Sequence, residues 1–405
     1  MENKSKESKL DENGNNKKQY TVKILQNINE IEKIRSLWEN LEWHPHSTID
    51  FFLTILRERS SILYPCIFLL LSNNIIEGLL VAKVEKKEIR IGIRNKIFWK
   101  PEVRSLTVLN GGILGKCTHL GYEALFDNLI MKLKQKEVDV VLFYILEKGS
   151  YFLHLAREKP KIYCREHFIT YNRHWRIDLP ITCGMFLDRL SRHRRHEIRR
   201  YPRLLEKQFP GLVEYKCHTG LESLDNICEE LELIASKTYQ RVLGEGFINN
   251  SEHRARLKLS AEKGWLRIYI LYVEKKPWAF WIGIKYGNLF YLDFTGYEPA
   301  HKKFMPGTIL FYKMIEDLIN IKVREIDFGL GDAEYKHTFG NRYWDECSFF
   351  IFAPKGKTIL INLFRSCTIF LSRIGNKIFN SLKMSEKRTK IWRLKLQNKA
   401  RNKGN

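Results

Sequence analysis

The chain has 405 residues, 44% hydrophobic and 13% aromatic, which is ample for more than one packed core. Its net charge of +23 is uneven: 13 Lys/Arg against one acid, Glu386, follow from residue 356, so that stretch carries +12 and the body is less basic than the total implies. Eight cysteines lie far apart with no CxxC pair, which excludes a disulfide framework and a zinc pattern and reads as reduced, buried thiols.

Residues 1–19 are polar, charged and free of an apolar core, so they read as a disordered lead-in rather than a signal peptide. From residue 20 strands and helices alternate. A strand begins at Tyr20, and helical apolar spacing covers 28–41 and 50–57. Strands are predicted at 66–71, 75–84 and 89–99, and Gly111-Gly112 breaks the chain. An amphipathic helix over 121–134 leads to a continuous apolar run, 138–145, which reads as a buried strand. A helix at 151–157 and a strand at 168–177 complete a first unit, 20–180, with Leu179-Pro180 as the boundary.

A second unit, 181–355, repeats the order. A helical stretch over 186–207 contains Pro202, which is expected to kink or interrupt it. A strand at 212–216, helices at 221–239 and 252–263, and strands at 265–273, 278–285 and 289–295 follow. Then come a helix at 306–320 and strands at 323–328 and 347–353. Helices, a three-strand meander, a helix and closing strands thus occur twice. The fold class is α/β with mixed α+β sheets: two similar lobes, each a mixed sheet flanked by helices. The segment 356–405 interleaves apolar and basic residues as a basic amphipathic tail. Its longest apolar stretch, 358–379, is broken by Arg365, Arg373 and Lys377, so no uninterrupted membrane span is expected. A helix lying on an anionic membrane and a helix packed on the body are both open to it.

Residues 302–336 concentrate the chemistry. Pro306-Gly307-Thr308 opens an apolar-periodic helix, and the strand ending at Asp327-Phe328 runs into Gly329-Leu330-Gly331-Asp332, then Tyr335 and Lys336. A helix N-terminus with small residues offers N–H groups to a phosphate, and a loop leaving a strand end commonly carries catalytic groups. Together they suggest a site that takes a group from a phosphorylated carrier.

This layout resembles the GNAT N-acyltransferase fold in its tandem form. Pro306-Gly307-Thr308, Asp327-Phe328-Gly329, Gly331-Asp332 and Tyr335-Lys336 look like the CelD/BcsL-type acetyltransferase domain and, more distantly, the Fem-type aminoacyltransferases. The Arg-rich run Arg192-His193-Arg194-Arg195-His196-Glu197-Ile198-Arg199-Arg200 is similar to the segment that opens the second lobe in both groups. The resemblance covers about residues 186–353. It implies acetyl-CoA or another acyl-CoA as donor, no metal, a degenerate first lobe, and transfer to an amine or hydroxyl of a sugar, polysaccharide precursor or similar acceptor. The usual Gln/Arg-x-x-Gly-x-Gly/Ala phosphate loop is replaced by Pro306-Gly307 with Lys302 and Lys303 nearby. The Fem likeness implies an alternative, aminoacyl transfer from tRNA to a cell-wall precursor. A non-catalytic nucleic-acid or membrane scaffold is a further alternative, although the sequence has no zinc pattern, no recognisable RNA-binding signature and no clear helix-turn-helix, and no DNA partner is expected.

Roles follow for particular residues. Pro306, Gly307, Thr308 and Lys303 are candidates to hold the donor phosphates. Asp327, Asp332 and Asp293 are candidate general bases, Tyr335 a candidate acid for the departing thiolate, and Lys336 a candidate for the oxyanion or a phosphate. Asp327 has a second role open to it, capping the glycine loop, and Asp293 has an equal alternative, a solvent-facing place set by strand alternation. Arg194, Arg195 and Arg199 are candidate acceptor ligands, with Arg194 nearest the apolar stripe of their helix, against a reading as solvated charge. The expected location is cytoplasmic, with possible peripheral contact at the inner face of an anionic membrane.

Overall fold

The computed structural model describes residues 19–93, 96–238, 240–241, 244 and 246–381. The expected lead-in, apart from Gln19, and the tail beyond 381 lie outside the described residues. The chain divides into two units. The first comprises Met1–Ile49, Ser60–Thr170 and Cys347–Leu371, and the second Asp50–Arg59, Tyr171–Glu346 and Ser372–Asn405.

In the first unit β1 (Tyr20–Leu25), β2 (Ile62–Ser72) and β3 (Ile75–Glu88) pair antiparallel in that order. A small hairpin of β4 (Ile91–Ile93) and β5 (Lys96–Trp99) stands apart from the main sheet. β6 (Glu102–Gly115) pairs antiparallel with β3, and β7 (Val140–Glu147) pairs parallel with β6. A parallel neighbour needs a crossover, supplied by the helix His119–Lys134. The sequence reading had no strand at 102–115, only a break at Gly111-Gly112. The glycines instead lie inside β6, where the register jumps from Leu80↔Ile113 to Ala82↔Val108. A bulge is the physical reason a strand can hold them: Gly111 has φ +68, and a side chain there would strike His44.

The second unit repeats this order. β9 (Val213–His218), β10 (Leu266–Val273), β11 (Lys276–Tyr286) and β12 (Leu289–Tyr297) pair antiparallel in sequence. The helix Pro306–Asn320 then crosses over to β13 (Glu325–Leu330), parallel to β12. Alternate residues of β10 supply two cores on opposite faces of the sheet. Tyr269, Leu271 and Val273 pack with the Pro306–Asn320 helix, and Leu266, Ile268, Ile270 and Tyr272 with the helices Leu224–Ala235 and Ser251–Glu262. The helix Arg192–Gln208 continues through Pro202, and its Ile198 and Leu205 are buried in the first of these cores.

The strand expected to complete the first unit, β8 (Asn172–Asp178), belongs to the second. It pairs with β13 from Asp178↔Glu325 to His174↔Leu330, and on its other edge with β14 (Arg342–Phe352) from Arg176↔Arg342 to Asn172↔Glu346. The division therefore falls at Thr170 rather than near 180. The remainder of β14 and the helix Gly356–Ser381 as far as Leu371 belong to the first unit, so this stretch of the expected tail is part of a folded body.

Candidate active site

The site grows from a gap in the second unit's sheet. The β12–β13 ladder is three pairs long, Leu289↔Glu325 to Tyr291↔Asp327. β12 then bends, because Asp293 is an extra residue between Leu292↔Gly283 and Phe294↔Ile282. Gly283 is required at this bulge: a Cβ would stand 2.3 Å from the Phe290 ring. Beyond the ladder, β12 borders a cavity of about 460 Å³. Thr295, Gly296 and Tyr297 of β12 line one side, Pro306, Gly307 and Thr308 the helix end, and Ala333, Glu334 and Tyr335 the far side.

The helix end is held open. Its N-cap, Met305, is left-handed (φ 53, ψ 45) and makes no side-chain cap hydrogen bond. Trp281 donates its indole N–H to the Gly307 carbonyl at 3.0 Å and meets Tyr335 edge-on, with ring centroids 5.2 Å apart. In the first unit the corresponding crossover helix has a side-chain cap, Thr118, which accepts from the Gly121 N–H at 3.2 Å. The third N–H of the helix is thus taken by a side chain in the first unit, whereas in the second the matching Thr308 N–H bonds the Met305 carbonyl at 3.0 Å, Pro306 has no N–H, and Gly307 brings its N–H to the cavity lining.

The expected site residues separate into two groups. Pro306, Gly307, Thr308, Tyr335 and Arg194 line the cavity. Arg194 is held there by Glu197 at 2.9 Å and Glu334 at 3.3 Å. Lys303 lies over the Phe304 ring, 4.9 Å from its centroid, and Lys302 takes the place beside the cavity. Arg195 lies near Asp188 and Arg199 is exposed, both outside the lining.

Lys336, Asp332, Asp327 and Asp293 are also outside the lining. Lys336 is buried, and its Nζ donates to the carbonyls of Gly329 at 3.1 Å and Leu330 at 2.6 Å. Asp332 accepts from the Trp175 indole at 3.0 Å and sits 3.3 Å from His337. These contacts hold the glycine loop, whose Gly329 and Gly331 have φ +65 and +98. Asp293 pairs with Arg256 at 3.4 Å.

Asp327 belongs to a buried charge network. Its carboxylate accepts from His174 Nε2 at 2.6 Å, from Arg176 at 3.0 Å and from the Gly329 N–H at 2.8 Å. The other His174 nitrogen meets Glu346 at 2.8 Å, and Trp344 stacks on the imidazole at 4.3 Å. Burial alone would raise the Asp327 pKa, but His174, Arg176 and Gly329 hold it down to about 2. Burial alone would lower that of His174, but Asp327 and Glu346 push it up to about 9. Both groups are therefore ionised near neutrality, and the network ties β8 to β13 and β14.

Sequence reasoning passed over Trp281, Glu334 and Gln240, which also line the cavity. Glu334 had a signal, a carboxylate inside the motif between Asp332 and Tyr335. Trp281 and Gln240 had none, since only folding brings them to the helix end. Among the described residues no group of three or more His, Cys, Asp or Glu is placed to hold a metal ion.

Residues 192–337 match the family model of the acetyltransferase (GNAT) domain, a segment that spans nearly the whole cavity lining. No curated protein matches the chain. Among solved structures the chain is similar to FemX at 11% identity and TM-score 0.54, covering 84% of this chain and 100% of that one. It is also similar to a conserved protein of unknown function from Bacteroides thetaiotaomicron VPI-5482 (13% identity, TM-score 0.49, 80% and 97% covered). A third is a tandem GNAT protein from the clavulanic acid biosynthesis pathway (13%, 0.45, 83% and 100%). The likeness to FemX is one of fold. The domain match supports an acyltransferase domain of GNAT type over residues 192–337 of the second unit.

Proposed function

We propose that this chain transfers an acyl group from an acyl-CoA, acetyl-CoA being the smallest, to an amine or hydroxyl of a sugar, polysaccharide precursor or similar acceptor. The observation that carries the reading is the open N-terminus of the Pro306–Asn320 helix at a gap where β12 is no longer paired with β13. One edge of β12 is occupied by β11, with Ala279↔Tyr297 and Phe280↔Gly296, and the edge toward the cavity is available to the amide groups of a pantetheine arm. A pyrophosphate oxygen fits the Gly307 N–H, with the Thr308 hydroxyl and Lys302 as the nearby donor and cation. The sugar class of acceptor rests on the resemblance of residues 306–336 to CelD/BcsL-type domains.

The acceptor's lone pair attacks the thioester carbonyl, the C–S bond breaks, and the acceptor's proton must leave. Glu334 is the carboxylate on the lining and takes the base role, directly or through water, with Arg194 holding it in place. Tyr335, fixed against Trp281 and Phe328, delivers a proton to the departing thiolate. Thiol release from acetyl-CoA and longer acyl-CoAs, measured across a panel of amino sugars, tests the reading. Tyr335→Phe and Glu334→Gln are each expected to lower kcat by about 10²-fold without unfolding the chain. Turnover that requires charged tRNA in place of acyl-CoA would overturn it.

A further inference from the structure

The helix Gly356–Ser381 carries its polarity inside out. Thr358, Asn362, Ser366 and Thr368 are buried against the first unit. Asn362 donates to the carbonyls of Tyr163 at 3.1 Å and Arg165 at 2.9 Å, Arg365 pairs with Glu166, and Ser366 lies 2.9 Å from His167. Ile361 is buried with them, and the outward apolar residues as far as Leu371 are Leu360, Leu363, Phe364, Phe370 and Leu371, each 45% to 54% exposed, beside exposed Lys357 and Cys367. Their spacing places them on one face. A helix on a water-soluble body ordinarily has the reverse arrangement.

A second element extends this face. Trp99 meets Phe364 edge-on, with ring centroids 5.6 Å apart, at the end of the β4–β5 hairpin. The same hairpin exposes Ile97 (46%) and Phe98 (59%). Exposed lysines, Lys96 and Lys100, flank Trp99, and Lys357 opens the helix. After Leu371 the sequence adds 11 more Lys/Arg and one acid. An apolar surface with so one-sided a charge complements an anionic interface.

By length and composition Gly356–Gly375 would also suffice to cross a bilayer, with mean hydropathy 1.2. Crossing would strip Asn362, Arg365 and Ser366 of their partners and carry Arg365 into hydrocarbon. Lying in the plane keeps all of these contacts. We propose that this face of the first unit docks in plane on an anionic lipid bilayer, the apolar stripe and hairpin at the acyl boundary and the lysines among the headgroups. The proposal is independent of the reaction assigned to the second unit.

Co-sedimentation of the full chain with phosphatidylcholine vesicles, with and without phosphatidylglycerol, tests it. Binding is expected to be at least about tenfold stronger to the anionic vesicles and to fall with salt. Leu363→Gln with Leu371→Gln is expected to lose about tenfold in partitioning at unchanged Tm, since both side chains are exposed. Lys96→Glu with Lys100→Glu is expected to weaken binding to the anionic vesicles by about tenfold, the Lys/Arg after Leu371 keeping the remaining preference. Undiminished binding by the leucine double variant would overturn the proposal, as would failure of the parent chain to sediment. A parent dimer that the leucine variant converts to a monomer would make the stripe a self-association surface and overturn it equally.

Discussion

Asp327 shows how one residue type supports two readings until its neighbours are known. From the sequence it was a candidate base or a loop cap. Its bond to the Gly329 N–H provides the cap, and its bonds to His174 and Arg176 add an ion network that the sequence concealed, because His174 and Arg176 lie about 150 positions away. The network has a pH signature. The raised pKa of His174 contributes stability that is complete below about 6.5 and is lost as pH rises through about 9. The lowered pKa of Asp327 contributes stability that is present above about 3.8 and is lost as pH falls through about 2. Tm is expected to plateau between those limits and to decline on the alkaline side. Asp327→Asn is expected to cost about 3 kcal/mol in chemical denaturation and to flatten the alkaline decline. An unchanged Tm with abolished turnover would return Asp327 to the chemistry.

At the scale of elements, the two crossover helices carry the functional contrast. The Pro306–Asn320 helix was legible to the residue, because proline at its first turn and a clear apolar period leave little choice. That its N-terminus is open was not legible, since openness depends on the absence of a cap and on the Trp281 bond. β6 was missed because Gly111-Gly112 reads as a break unless a bulge accommodates it. β8 was assigned to the wrong unit because charged partners, rather than apolar alternation, decide where it pairs. Gly307 tests the helix end directly. A Cβ there would come no closer than 3.6 Å to Tyr297, so the fold does not demand glycine. Gly307→Ala is expected to hold or raise Tm, with a gain of up to about 1 kcal/mol, while raising KM for acyl-CoA about tenfold. A large stability loss would mean that the glycine serves packing.

For the whole molecule, the repeated order of helices, meander, crossover helix and parallel strand was visible in the sequence as a pattern, and both units contain it. Which copy acts was visible only through the motif between 302 and 336. The proposed function places it in the second unit, whose helix end at Met305 has no side-chain cap, whereas Thr118 caps that of the first. Hydrogen exchange of the full chain with and without acetyl-CoA tests this central claim most directly. The account expects protection at residues 292–297 and 305–311, with none at the capped helix end, residues 118–125. Protection at 118–125 instead, or bound acetyl-CoA with 305–311 unaltered, would contradict it.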